Sequence, residues 1–438
     1  MSEKKFNIPE GLKGKIFNAD EYFREKKNRM GADFLLENLS GTERIEEEDG
    51  SYILRRVEIP LDKGISEDLY RFPGEFGMPD MDREALTLIS GEEWWNPSDI
   101  SKIIFFDLET TGLAGGAGTW PFLCGIGWYE ENSFVVEQYF MEDYPYEGIM
   151  LRGLTEKMKK AEALVTFNGK TFDVPLLKTR LIFNRMRLNL EIPHIDLLHP
   201  SRRLWRGVFP DCSLGSIEEN FFGLKRARDI DSSLIPMIYF NYVRGRRREM
   251  MLPVFDHNVQ DVATLGSLLL FFCRAINSPM TSLLKSPKAF FGLGRWLLKL
   301  GRREQATECF DHALNAAREP ELRERLLWHT GMMHKKMESW ESALEAWERL
   351  MKESMQRRID AAVEIAKYYE HRVKQPDRAR EIIIMAVHGD KISEELREYL
   401  EGPSCAGESR LTPGLEKRLR RLEKKIKKNE YIDPSEDE

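Results

Sequence analysis

The sequence predicts an α/β domain, a mixed sheet covered by helices, followed by an all-α region of stacked helix pairs. Two patterns carry this. Between about residues 100 and 275, short apolar, β-branched runs come first and then alternate with segments of helical spacing. Between residues 288 and 388 every segment reads as helix, and one pattern recurs at a fixed period.

Taken in order, residues 1–99 are mixed in character, with a strand expected over Ser51–Ile59 and a Gly-, Pro- and charge-rich loop from Asp62 to Asp82. Lys102–Phe106, ending in Asp107, reads as a buried strand. Phe122–Tyr129 and Ser133–Met141 read as two more, separated by the turn-like Glu130-Glu131-Asn132. Leu151–Lys160 suits a helix, Ala163–Phe167 a strand, Val174–Phe183 a helix, and Ile192–Leu198 a further strand. Glu249–Ala275 contains a long helix with an apolar face.

In the repeat, Ala306, Ala343 and Ala379 lie 37 and 36 residues apart. Four residues beyond each sits a large side chain (Phe310, Trp347, Ile383), and seven beyond sit Ala313, Leu350 and Ala386. Small and large positions so spaced let one helix nest against its neighbour. The period is near that of tetratricopeptide repeats, the mark of a helix-pair solenoid. Leu415–Lys428 then carries eight Lys/Arg against two Glu, with Leu415, Leu419, Leu422 and Ile426 at helical spacing. That basic amphipathic helix either touches phosphate backbones or docks on the solenoid. The expected organisation is thus 1–99 of unclear fold, 100–275 the α/β domain, 286–390 the helical repeats, and 391–438 a basic helix and acidic tail.

Composition narrows the class. The chain has 438 residues, a formal net charge of −7 and 32% charged residues. No run of about 18 apolar residues appears, so no membrane span is expected. Five dispersed cysteines without a Cys-x-x-Cys pair indicate neither a zinc site nor a disulfide framework, and a reducing, cytoplasmic setting is expected. The negative balance does not announce a nucleic-acid binder. Two basic clusters, Arg202/Arg203/Arg206 and Arg244/Arg246/Arg247/Arg248, are either phosphate-binding patches or solvated surface.

The chemistry is concentrated in three places. In Phe106-Asp107-Leu108-Glu109-Thr110-Thr111-Gly112, residues two apart on a strand share a face, so Asp107 and Glu109 present paired carboxylates. Such a pair repels itself unless a cation intervenes, and hard oxygen ligands favour Mg²⁺ or Mn²⁺. Asn168-Gly169-Lys170-Thr171-Phe172-Asp173 follows an apolar strand and opens a helix, placing a third carboxylate. His257-Asn258-Val259-Gln260-Asp261 sets a histidine and an aspartate four apart, on one helix face.

These motifs, in this order and separated by 59 and 84 residues, resemble the three exonuclease motifs of the DEDD (DnaQ-like) superfamily. With the glycine-rich stretch Gly112–Gly127 and the helical repeats, the chain from about residue 50 to 390 resembles the bacterial YprB-like family, which pairs an RNase H-like exonuclease domain with tetratricopeptide repeats. The resemblance implies a 3′–5′ exonuclease acting on single-stranded DNA or RNA ends with two divalent ions, Mg²⁺ or Mn²⁺. Asp107 would bridge both, Glu109 and Asp261 would hold the ion near the nucleophile, and Asp173 the other. The third motif departs from the superfamily: histidine stands at the spacing usual for tyrosine. His257 is either the general base or a metal-shell or surface residue.

Other residues leave alternatives open. Thr110, Thr111, Gly112, Leu113 and Phe172 are candidate contacts to the terminal nucleotide, although the two threonines would equally cap the strand. Asn168 either orients the site or satisfies a turn. Asp196 either joins the acidic cluster or stays outside it. Tyr239 and Tyr242 either stack on bases or pack in the core. The rival function is a catalytically weak nucleic-acid binder, or an adaptor whose repeats hold a protein partner.

Overall fold

The computed structural model describes residues 36–61, 81–92, 99–112, 118–224, 230–281, 283–388 and 412–430. The chain divides into two units, Met1–Leu284 and Lys285–Glu438.

The first unit is built on a mixed sheet of seven strands. They are β1 (Thr42–Glu47), β2 (Gly50–Pro60), β3 (Ile103–Thr110), β4 (Pro121–Glu130), β5 (Ser133–Phe140), β6 (Ala163–Thr166) and β7 (His194–Asp196). Their order is β1-β2-β5-β4-β3-β6-β7. The pairs from β1 to β3 are antiparallel, and β6 and β7 continue the sheet in parallel. The strand expected over Ser51–Ile59 is therefore β2, paired along β5 from Ile53↔Phe140 to Pro60↔Ser133. Central β3 and β4 are buried along nearly their whole length, which is why they read as continuous apolar runs rather than alternating ones. Most of the loop expected from Asp62 to Asp82 lies outside the described residues.

Helices cover the sheet. In chain order they are α1 (Arg83–Ser90), α2 (Glu147–Met158), α3 (Asp173–Phe183), α4 (Leu198–Trp205), α5 (Leu214–Ile217), α6 (Ile235–Val243) and α7 (Met251–Asn277). Asp82 starts α1 by accepting from the Ala85 amide at 2.7 Å, and Gly91 ends it at φ 72°. A buried ion pair ties α2 to α3: the Arg180 Nε and Nη2 each lie 2.6 Å from a Glu147 carboxylate oxygen, and Asn184 donates to the same carboxylate at 2.7 Å.

Helix α7 decides where the site forms. It packs against β3, β4 and β5, and a β-carbon on Gly125 or Gly127 of β4 would fall 2.3 Å from Asn258 or 2.6 Å from Val262 of the helix. Two glycines on one face thus let the helix backbone approach the sheet closely. By length and composition the helical segment Arg248–Asn277 would also span a bilayer, yet 83% of its apolar window is buried inside the protein. It is the core helix of this unit.

The second unit is helical: α8 (Pro287–Lys299), α9 (Arg303–Ala316), α10 (Pro320–Lys336), α11 (Trp340–Glu353), α12 (Arg358–Tyr368), α13 (Pro376–His388) and α14 (Pro413–Glu430). Neighbours pack as α8 with α9, α10 with α11, and α12 with α13. Ala306, Ala343 and Ala379 are fully buried, as are Phe310 and Trp347. A β-carbon on Gly294 would meet the Phe310 ring at 2.6 Å, and one on Gly331 would meet Trp347 Nε1 at 2.3 Å. The same small-against-large contact thus recurs 37 residues on. The basic segment forms α14, whose apolar side docks on this unit: Leu415 and Leu422 are buried with Ala366, Ala379, Ile383 and Val387. The acidic tail lies outside the described residues.

Candidate metal and nuclease site

At the C-terminal end of β3 the register with β4 shifts between Glu109 and Thr110, which ends the regular ladder beside the two acids. Asp107 and Glu109 occupy the face covered by α7. One turn of that helix then delivers His257 and Asp261. His257 Nε2 lies 3.3 Å from Asp261 Oδ2 and 3.8 Å from Glu109 Oε1. One ligand atom from each of Glu109, His257 and Asp261 falls within 4.8 Å of the others, a spacing that suits a metal ion.

The remaining acids join electrostatically. Burial pushes the Glu109 carboxyl well above the usual range; His257 counters this, while Asp107, Asp261 and Asp173 add to it. Asp173, at the first turn of α3, is also raised, by burial and then by Asp107, against backbone hydrogen bonds from its own amide and that of Leu108. Two carboxyls held high by burial and by each other's neighbours mark a place where a cation would be stabilising.

The structure adds residues that the motifs did not single out. The Asn258 Nδ2 donates to Asp107 Oδ2 at 2.9 Å, and its Oδ1 accepts from Gln138 Nε2 at 2.9 Å. Gln138 Nε2 also donates to the Phe255 carbonyl at 2.9 Å, and its Oε1 accepts from Arg55 Nη1 at 3.3 Å. Asn258 and Gln138 are fully buried, so this relay fixes the orientation of Asp107 from behind. Gly125, directly opposite Asp107 in the β3–β4 register, leaves the room that the Asn258 amide fills. Asn258 stands inside the third motif, but nothing in the sequence pairs it with Gln138, 120 positions away.

Other predicted residues fall as follows. Phe172 precedes Asp173 in the chain and is 53% exposed. Asn168 has a left-handed backbone (φ 65°), and its carbonyl and side-chain oxygens both accept from the Thr171 hydroxyl, so it holds a turn. The Thr110 hydroxyl donates to the Gly112 carbonyl at 2.9 Å, and the Thr111 hydroxyl accepts from the Trp120 amide at 3.0 Å. Both therefore shape the strand end. Leu113, with Gly115 and Gly116, lies outside the described residues.

Asp196 is buried and turned to backbone: it accepts from the amides of Asn168 (2.8 Å), Leu198 (3.1 Å) and Lys170 (3.2 Å). It shapes the loop that carries Asp173. Tyr239 and Tyr242 belong to the core, Tyr239 stacked on Phe122 at 4.1 Å and Tyr242 donating to Glu142 at 2.8 Å. Neither ring is open to a base. Both arginine clusters are exposed, Arg248 lying 5.3 Å over the Tyr242 ring.

A sheet of this order bearing an acidic cluster matches what sequence comparison finds: residues 104–270 match the RNase_H superfamily. That superfamily suggests a nuclease acting on nucleic acid, and its nucleases usually use divalent metals. The chain is 31% identical over 349 residues to the uncharacterized protein YprB of Bacillus subtilis (strain 168), spanning 76% of this chain and 80% of that one. It belongs to the YprB family, with an RNase H-like domain followed by a helical region. A solved family B DNA polymerase from the hyperthermophilic archaeon Pyrobaculum calidifontis is also similar over 45% of this chain and 29% of its own. That likeness, at 13% identity and a TM-score of 0.31, is too low to carry weight.

Proposed function

We propose that the protein is a 3′–5′ exonuclease of the DEDD type, acting on single-stranded DNA or RNA ends with two Mg²⁺ or Mn²⁺ ions held by Asp107, Glu109, Asp173 and Asp261. The observation that carries this is the convergence of Glu109, His257 and Asp261 within 4.8 Å, with the charges of Asp107 and Asp173 acting on the same buried carboxyl. The donor set fits hard divalent ions, because four carboxylates offer all-oxygen ligation and leave the His257 imidazole free to act as a base.

Bound ions would neutralise charge on the scissile phosphate and lower the pKa of the attacking water. His257 Nε2 receives the proton of that water, and Asp261 at 3.3 Å and Glu109 at 3.8 Å stabilise the resulting imidazolium. Asn258 holds Asp107 in one orientation throughout. The exposed Phe172 ring stacks on the terminal base, a contact that tolerates any sequence. Gly112 borders the terminal nucleotide. The helices of the second unit, read as tetratricopeptide-like repeats, offer a surface for a protein partner.

The test is degradation of 3′-labelled and 5′-labelled DNA and RNA oligonucleotides in Mg²⁺ or Mn²⁺, beside Asp107→Asn. Early release of labelled mononucleotide from the 3′-labelled strand, abolished in the variant, is expected. Release from the 5′ end first, or equal activity in Asp107→Asn, would defeat the assignment.

A further inference from the structure

In α14, packing and charge are divided around the helix in a way that assigns each side chain a face. At 100° per residue, the apolar positions Leu415, Leu419, Leu422 and Ile426 form one side, and Leu415 and Leu422 are buried against α12 and α13. Beside them, Arg418, Arg421 and Lys425 converge on one carboxylate. Glu370, with no exposed side-chain surface, is approached by these three at 3.2, 2.7 and 2.7 Å. On the other flank Glu423 meets Arg380 at 3.7 Å.

What remains is a stripe. Lys417, Arg420, Lys424, Lys427 and Lys428 are all exposed and fall within an arc of about 100°, over a length of about 16 Å. Among the described residues none of the five has a carboxylate within ion-pair distance. A chain with a net charge of −7 thus gathers five exposed cations on one helix face.

We infer that this stripe is a second nucleic-acid contact, a track for the sugar–phosphate backbone separate from the carboxylate site. The choice of partner rests on the nuclease reading above and on the geometry. A helix that lies on a membrane needs its apolar face free for the bilayer, and here that face is spent on α12 and α13. A face of cations alone, at regular spacing, complements a line of phosphates, and it carries none of the aromatic rings on which bases stack. Binding through it is therefore sequence-independent and strongly salt-dependent.

The experiment is fluorescence anisotropy of a labelled 20-mer DNA or RNA single strand with the full chain in EDTA, titrated between 50 and 200 mM salt. The comparison is a triple variant, Lys417→Gln, Lys424→Gln and Lys428→Gln. Five phosphate contacts give a log–log salt slope of about −3.5 from this face, so its contribution falls about 100-fold across that range. The triple variant should lose about 2 from the magnitude of the slope. Its melting curve should coincide with that of the unmodified chain, because all three side chains are exposed, and its Mn²⁺-dependent cleavage of a dinucleotide should be unchanged. Equal slope and affinity in the two proteins would overturn the inference. So would a loss seen only with anionic phospholipid vesicles or polyglutamate. If the protein cleaves nothing but binds strands in a stripe-dependent way, the exonuclease reading fails and the track stands.

Discussion

Gly125→Ala isolates the relay behind Asp107. The added methyl would lie 2.3 Å from Asn258 Oδ1 and 2.9 Å from both Cγ and Nδ2. Asn258 cannot retreat without breaking its bonds to Asp107 and Gln138, and it is fully buried. Overpacking of this kind costs about 1–3 kcal/mol, and a buried partner left unsatisfied costs about 1–3 kcal/mol more. A total near 3 kcal/mol is expected for Gly125→Ala alone. In an Asn258→Ala background the obstructing amide is gone. There the same change should be neutral or stabilising by about 0.5–1 kcal/mol, the usual gain of alanine over glycine within a strand. Urea unfolding of the four proteins of this double-mutant cycle measures the coupling directly. Calorimetric titration with Mn²⁺ gives a second readout, with about 10–100-fold weaker binding expected for Asn258→Ala. A Gly125→Ala penalty of the same size in both backgrounds would refute the packing argument, and unchanged Mn²⁺ affinity would refute the role assigned to the relay.

Three further outcomes are expected. On the proposed reading, Asp173→Asn should lower metal-dependent hydrolysis by about 1,000-fold or more while leaving the fold intact, as read by single-turnover kinetics and circular dichroism, because removing a carboxylate proposed to hold an ion costs several kcal/mol of charge stabilisation. In EDTA, Glu109 and Asp173 bind protons more tightly folded than unfolded. Their contribution to stability is therefore complete below about pH 4 and is lost as pH rises through their raised folded values. Thermal melts should show this decline, and saturating Mn²⁺ should reverse it; a melt insensitive to Mn²⁺ at pH 8 would count against metal binding. Burial pushes the Glu370 carboxyl up, but hydrogen bonds from Lys425 and Arg421 outweigh it and hold it below the usual range. Glu370→Gln should therefore weaken α14 docking by about 1–3 kcal/mol, seen as about 5- to 150-fold acceleration of amide exchange across residues 413–430. Acidification through the lowered Glu370 value should do the same.

The sequence by itself determined what is written in short-range periodicity. Apolar runs placed β3, β4, β5 and β6 within a few residues of their observed limits, because a strand buried on both faces needs continuous apolar side chains. The spacing of Ala306, Ala343 and Ala379 picked out buried positions that recur in the helical unit, whereas the glycines that receive Phe310 and Trp347, Gly294 and Gly331, came only from the structure. The spacing of Asp107 with Glu109, and of His257 with Asp261, followed from the pitch of a strand and of a helix.

Only the tertiary structure decided which side chains those groups meet. Asn258 reaches Asp107 across 151 positions, and Asp196 turns to the backbone of Asn168 and Lys170, because strand order and the close approach of α7 over Gly125 and Gly127 set those distances. Tyr239 and Tyr242 entered the core, and α14 took its orientation from Glu370, for the same reason. Local pattern fixes the face a residue presents; the partner on that face is chosen by contacts between segments that no local period records.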